Sequence, residues 1–222
     1  MLLCYVTDRR LLKRDAPSGA ASTEDLLMRI ERAAASGVDW IQIREKDLPA
    51  QELLELTRRA IAVTRDKANT SPRVVVNDRL DVAIAAGAAG VHLGSASIPV
   101  AGAVQWCRAG NAPADFLVGA SRHDIQGAIQ AESAGANYIF FGPVYETPSK
   151  VKFGAPQGVD RLAKVCRSIH IPVLAIGGID QENAGACLRA SAAGIAAIRL
   201  FQQPPDAASV SEIVSRLRAI PS

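Results

Sequence analysis

Gly37-Val-Asp-Trp-Ile-Gln-Ile-Arg44 ends a helical stretch on a small residue and, three positions later, enters an apolar run. The unit returns as Gly87-Ala-Ala-Gly-Val-His-Leu-Gly94, Gly135-Ala-Asn-Tyr-Ile-Phe-Phe-Gly142 and Ser191-Ala-Ala-Gly-Ile-Ala-Ala-Ile198, at spacings of 50, 48 and 56 residues. Between the copies lie four more short apolar runs, Leu2–Thr7, Val74–Asn77, Phe116–Ala120 and Pro172–Ile176. Continuous apolar runs of this length suit strands buried on both faces, as parallel strands are. The intervening segments have helical period. Glu24–Ala35 places Leu27, Ile30, Ala33 and Ala34 on one face, and Gln51–Thr64 does so with Leu53, Leu54, Leu56, Ala60, Ile61 and Val63. Helix entry signals stand at Ser22-Thr23-Glu24-Asp25 and Asp180-Gln181-Glu182, and glycines supply left-handed caps at helix ends. Eight strands alternating with helices close most simply as an α/β fold, a single-domain (β/α)8 TIM barrel over residues 1–222. A doubly wound open sheet is the alternative, and the even spacing favours closure. Ala16–Ser22 and Gly110–Ala114 read as loops, not as domain boundaries.

A chain of 222 residues can bury one large core, and 49% hydrophobic with 21% charged residues fits a globular protein. The net charge of +3 points weakly to small anionic ligands. No basic face or aromatic-basic stripe makes a case for nucleic acid. Cys4, Cys107, Cys166 and Cys187 form no C-x-x-C pair, which argues against a zinc site or redox pair. The apolar start Leu2-Leu3-Cys4-Tyr5-Val6 is broken by Asp8 and lacks a basic leader, so it reads as a first strand rather than a signal peptide. No run approaches the ~18 apolar residues of a membrane span, and cytoplasmic residence is the default expectation. Homo-oligomer formation stays open.

Barrel proteins carry their chemistry on loops after the strands. After the second strand come Gln42, Arg44 and Lys46, with Glu45 and Asp47 between and beyond them. Arg44 suits a diphosphate through its planar fork and Lys46 as a point charge, unless the segment is a solvated loop with a local ion pair. After the third strand, Asp78 suits Mg2+ and Asn77 a ring substituent, though either residue also suits an N-cap. Beyond the fifth strand, Ser121 and His123 suit substrate binding or proton transfer, against a structural role for a lone His. The sixth strand leads to Thr147, Pro148, Ser149 and Lys150, a candidate anion cradle, and then to Val151–Gly158 with Lys152, a candidate lid. Gly177-Gly178 after the seventh strand lets backbone amides approach a phosphate.

Together these segments resemble the thiamine phosphate synthase/thiazole tautomerase (TenI) family over nearly the whole chain. The resemblance rests on Tyr5-Val6-Thr7-Asp8, Gln42-Ile43-Arg44-Glu45-Lys46, Asn77-Asp78-Arg79, Gly90-Val91-His92-Leu93-Gly94, Gly142-Pro143-Val144-Tyr145-Glu146-Thr147-Pro148-Ser149-Lys150 and Ala175-Ile176-Gly177-Gly178-Ile179. It implies a transferase of thiamine biosynthesis that joins a hydroxymethylpyrimidine diphosphate to a thiazole phosphate and releases diphosphate. It further implies that Gln42, Arg44, Lys46, Asn77, Ser121 and Lys150 bind the pyrimidine diphosphate, and that Asp78 ligates Mg2+. Thr147, Pro148 and Ser149 would lie against the thiazole phosphate, with Gly178 and Ile198 near its phosphate.

The chemistry agrees. A pyrimidinylmethyl C–O bond ionises when the departing diphosphate is neutralised, so cations matter more than a strong base. The sequence supplies Arg44, Lys46 and Lys150 and no obvious nucleophile–base pair. Two positions depart from the family pattern. Ser97 stands where synthases usually carry a second Mg2+-binding Asp, and Arg199 stands where a phosphate-binding Ser is usual. Val144-Tyr145-Glu146-Thr147 resembles the tautomerase branch, in which a His at the place of His123 serves as acid–base. That isomerase activity is the alternative, and a phosphate-binding protein without turnover is a third.

Overall fold

The computed structural model describes residues 1–14, 23–65, 71–147 and 155–220. Eight parallel strands form a closed barrel in chain order. They are β1 (Leu2–Val6), β2 (Trp40–Ile43), β3 (Arg73–Asn77), β4 (Gly90–Leu93), β5 (Leu117–Arg122), β6 (Tyr138–Phe141), β7 (Val173–Ile176) and β8 (Gly194–Ala197). The helices are α1 (Thr23–Ala35), α2 (Ala50–Thr64), α3 (Leu80–Ala86), α4 (Val100–Trp106), α5 (Ile125–Ser133), α6 (Gly158–Ser168), α7 (Ala184–Arg189), α8 (Arg199–Gln202) and α9 (Ala207–Arg218). The barrel is the expected one, and the open-sheet alternative falls because β1 pairs with β8 through Leu2↔Gly194 to Tyr5↔Ala197.

The repeat explains the closure. Gly37, Gly87 and Gly135 sit at φ 90°, 69° and 92°, and Ser191 takes the same place at φ 67°. A side chain in that left-handed region costs on the order of 1 kcal/mol, so three copies use the residue that lacks one. Two positions later one residue joins three strands. The Ala89 amide donates to the Val74 carbonyl at 2.8 Å, and the Ala89 carbonyl accepts from Leu117 at 2.9 Å. Asp39 makes the same link between Leu3 and Arg73, and Ala193 between Val173 and Leu2.

Side chains alternate along each strand. Leu3, Tyr5, Ile41, Ile43, Val91, Leu93, Ile139 and Phe141 face outward into a core shared with Leu26, Leu27 and Ile30 of α1 and Leu53 and Leu56 of α2. Cys4, Val6, Trp40, Tyr138, Phe140, Leu174 and Ala196 form a separate cluster inside the barrel. Trp40 meets Tyr138 edge-on there, with ring centroids 4.5 Å apart, and closes the barrel below the site.

A turn over Cys107–Asn111 continues α4, and Gly110 leaves helical geometry within it at φ 90°. One local expectation shifts. The Asp180 signal forms a turn rather than the first turn of a helix. Its Oδ1 accepts the amides of Glu182 at 3.0 Å and Asn183 at 2.9 Å, and α7 begins only at Ala184.

Candidate active site

The inward positions nearest the C-terminal ends of the strands decide the character of the site. On β2 to β5 they are Gln42, Asn77, His92 and Ser121; on β6, β7, β8 and β1 they are Phe140, Ile176, Ala196 and Val6. All eight line one cavity of about 770 Å³, so its floor is a polar crescent on one side and an apolar wall on the other. Such a floor suits a flat ring with hydrogen-bonding edges.

The crescent is tied into a chain. Gln42 Nε2 donates to Asn77 Oδ1 at 3.0 Å, and Asn77 Nδ2 donates to Asp78 Oδ2 at 2.7 Å. This order fixes both amide orientations, and among the described residues the Gln42 side-chain carbonyl oxygen has no donor. Asp78 holds φ 64°, a left-handed conformation that Asp tolerates better than most residues. Its Oδ1 accepts from the Gly94 amide at 3.4 Å and from the Ser97 hydroxyl, and Ser97 Oγ accepts from the Gly94 amide at 2.7 Å. One further lone pair on the carboxylate remains for a cation.

Farther along the crescent, His92 is buried between Tyr138 and Ser121. Its Nδ1 lies 3.2 Å from the Tyr138 hydroxyl and its Nε2 lies 2.8 Å from Ser121 Oγ. Burial pushes the imidazole pKa down to about 3, against a smaller opposing pull from Asp78. The sequence showed no nucleophile–base pair, and the fold brings a Ser and a His together after all. An imidazole that resists protonation is nevertheless a poor base. This pair orients a hydroxyl and does not activate one.

At the mouth, Arg44 and Lys46 follow β2. Arg44 Nη1 stands 3.8 Å from Asp8 Oδ2. The Arg44 amide donates to Thr7 Oγ1 at 2.9 Å, and Thr7 in turn donates to Glu45 Oε1 at 2.6 Å. Glu45 also accepts the Arg9 amide, at 3.2 and 3.0 Å. Desolvation raises the pKa of this buried carboxyl, with the Thr7 and Arg9 hydrogen bonds opposing. Glu45 faces away from any ligand and pins the Arg44 backbone.

His123 also lines the cavity, with Nδ1 against the Gly142 carbonyl. A carbonyl only accepts, so Nδ1 carries the proton and Nε2 of the neutral ring is an acceptor. Arg122 turns aside to the Gly127 and Ser121 carbonyls at 3.2 and 2.7 Å. After β7, Gly178 sits at φ 68°, and a Cβ there would come 2.4 Å from the Glu146 carbonyl oxygen. Its glycine is therefore demanded by the close approach of the β6 and β7 loops.

Of the residues singled out in the sequence, the cavity gathers Gln42, Arg44, Lys46, Asn77, Asp78, Ser121, His123, Thr147, Gly178 and Ile198. Pro148, Ser149 and Lys150, and with them Lys152 and the first part of the expected lid, lie outside the described residues. The sequence reading missed His92, Asp8 and Phe140 as lining residues. The inward register of each strand was the signal that could have found His92 and Phe140.

The sequence model of a family described as "Thiamine monophosphate synthase" matches residues 14–201. The chain belongs to that family. A protein of Geobacter sulfurreducens named "Putative thiamine-phosphate synthase" is 47% identical over 186 residues, covering 84% of each chain. The "Thiamine-phosphate synthase" of Roseiflexus sp. (strain RS-1) is 36% identical over 205 residues, 92% of this chain and 80% of that one. Among solved structures, the thiamine phosphate pyrophosphorylase from Pyrococcus furiosus superposes with a TM-score of 0.81 at 30% identity, covering 100% of this chain and 97% of that chain.

Proposed function

We propose that this protein joins a hydroxymethylpyrimidine diphosphate to a thiazole phosphate, releasing diphosphate and forming thiamine phosphate. The observation that carries the reading is the joining of Gln42, Asn77 and Asp78 in one hydrogen-bonded chain within a cavity that Arg44 and Lys46 also line. In this reading the pyrimidine lies on the barrel floor. Its edges meet Gln42, Asn77 and the Ser121 hydroxyl held by His92, and its face meets the Phe140 side.

Arg44, Lys46 and Lys150 take up charge as the C–O bond breaks, its electron pair leaving with the diphosphate. The pyrimidinylmethyl cation is captured by the thiazole nitrogen lone pair, forming the new C–N bond. Thr147, Pro148, Ser149, Gly178 and Ile198 hold the thiazole partner. Asp78 is the residue to hold Mg2+, with Ser97 Oγ beside it. One carboxylate suits this ion, which keeps waters and shares substrate phosphates rather than requiring an all-protein cage. When bound, Mg2+ supplies further neutralisation of the diphosphate.

Residues 1–222 act as one barrel unit in this account, and residence is cytoplasmic. Among the described residues no helix is long and apolar enough to cross a membrane.

The tautomer of His123 favours a second reading, in which Nε2 accepts and returns a proton to aromatise a thiazole tautomer. The two part cleanly in assay. Coupling requires both substrates and Mg2+ and yields thiamine phosphate, whereas aromatisation requires the thiazole tautomer alone and proceeds without Mg2+. Aromatisation in the absence of any coupling product would replace the first reading with the second.

A further inference from the structure

Gln202 of α8 is a fully buried amide outside the cavity lining. Its main chain is held from α1, where Arg29 Nη1 meets the Gln202 carbonyl and lies 3.3 Å from the Pro204 carbonyl. Its side chain reaches back to β1 and the residue just past it. Oε1 accepts from the Asp8 amide and from the Tyr5 hydroxyl, each at 3.0 Å, and Nε2 donates to the Asp8 carbonyl at 2.8 Å. One side-chain amide thus clasps both main-chain groups of Asp8, which fixes its own orientation. An ionised carboxylate only accepts and an aliphatic side chain does neither, so the clasp requires an amide.

The Asp8 carboxylate so held faces two ways. Oδ1 accepts from the Arg10 amide at 3.2 Å and from Arg10 Nε at 3.3 Å, and Oδ2 stands 3.8 Å from Arg44 Nη1. Asp8 and Arg44 both line the cavity. An arginine side chain has much rotamer freedom, and a fixed carboxylate beside it restricts the directions its guanidinium takes before a ligand arrives. Thr7 already fixes the Arg44 amide, so the end of β1 sets both the main chain and the side chain of Arg44. We infer that Gln202 is a positioning residue for Arg44, acting through Asp8 to keep the guanidinium directed at a bound diphosphate. Chain position alone would suggest otherwise. Gln202 follows β8, on the side where Ile198 lines the cavity, yet its effect should fall on the ligand of a β2 residue.

This inference rests on the proposed function for giving Arg44 a diphosphate, yet binding can be read without turnover. Inorganic diphosphate with Mg2+, and separately thiazole phosphate, are titrated by calorimetry into wild type, Gln202→Met, Asp8→Ala and the double variant. Gln202→Met should lose diphosphate affinity by about threefold to tenfold and keep thiazole phosphate affinity within about twofold. Asp8→Ala also removes a charge, so the informative quantity is the effect of Gln202→Met in that background. It should shrink below about twofold, because the clasp then has no carboxylate to hold. Unfolding midpoints show which variants fold. If Gln202→Met does not, Tyr5→Phe removes one of the three bonds to the amide and should cost about twofold to threefold in diphosphate affinity. Undiminished diphosphate affinity in Gln202→Met, or in Tyr5→Phe where that variant carries the test, overturns the inference. So does an equal loss toward both ligands, the mark of a general loosening, or a Gln202→Met effect that persists in full without the Asp8 side chain. A protein whose diphosphate affinity depends on Gln202 in this way but that forms no thiamine phosphate would refute the coupling reaction and leave this inference standing.

Discussion

His92 Nε2 lies 2.8 Å from Ser121 Oγ, so a fully buried side chain of the barrel interior supports a hydroxyl of the cavity lining. Replacing His92 by Phe keeps a ring against Phe140 but leaves Ser121 Oγ and the Tyr138 hydroxyl without this partner. Losing such buried bonds costs about 1–3 kcal/mol, and KM for the pyrimidine diphosphate should rise more than kcat falls. The pH dependence gives a separate signature. With the folded pKa near 3 against an unfolded 6.5, the unfolded chain binds more protons between those values. Stability therefore falls as pH drops from 6.5 toward 3, by at most about 1.4 kcal/mol per pH unit from this group. Urea unfolding at pH 7 and pH 5 should show a shallower loss in His92→Phe than in wild type.

Thr7 links the buried Glu45 to the Arg44 amide. Thr7→Val keeps the shape and removes both hydrogen bonds. It should destabilise the fold by about 1–3 kcal/mol and raise KM for the pyrimidine diphosphate severalfold. Denaturant titration and steady-state kinetics measure the two effects, and a change in neither would show that Arg44 needs no such support.

Much of the fold was legible because one local device recurs. A left-handed residue, a two-residue step and an apolar run announce each of β2, β4, β6 and β8. The helix that seemed to begin at Asp180 was misplaced because Asx turns and N-caps use the same residue types. For the site, charged residues just beyond a buried strand were conspicuous, so Arg44, Lys46 and Asp78 stood out. His92 did not, because inside an apolar run a histidine announces neither its direction nor its partners. Glu45 looked like one more charge of a solvated loop, and only the β1–β2 pairing that brings Thr7 beside it reveals its burial.

Ser97 shares its hydroxyl with Asp78 in place of a second carboxylate. Mg2+ alone should therefore bind weakly, and inorganic diphosphate should tighten it by supplying oxygen ligands. Ser97→Asp should strengthen binding of Mg2+ alone by about tenfold or more, read by calorimetry without substrate. Equal Mg2+ affinity in the two proteins would remove Ser97 from the metal's surroundings.

His123 separates the two readings of the cavity. In coupling, which needs no strong base, His123→Ala should keep kcat within about tenfold of wild type. A loss of a hundredfold or more, the scale typical of a general base, would favour proton transfer as the native chemistry.

The most direct test follows phosphorus by NMR in a mixture of protein, hydroxymethylpyrimidine diphosphate, thiazole phosphate and Mg2+. The account predicts that inorganic diphosphate and thiamine phosphate appear together in equal amounts, and only when both substrates are present. Unchanged substrates at saturating concentrations, or diphosphate released without thiamine phosphate, would contradict it.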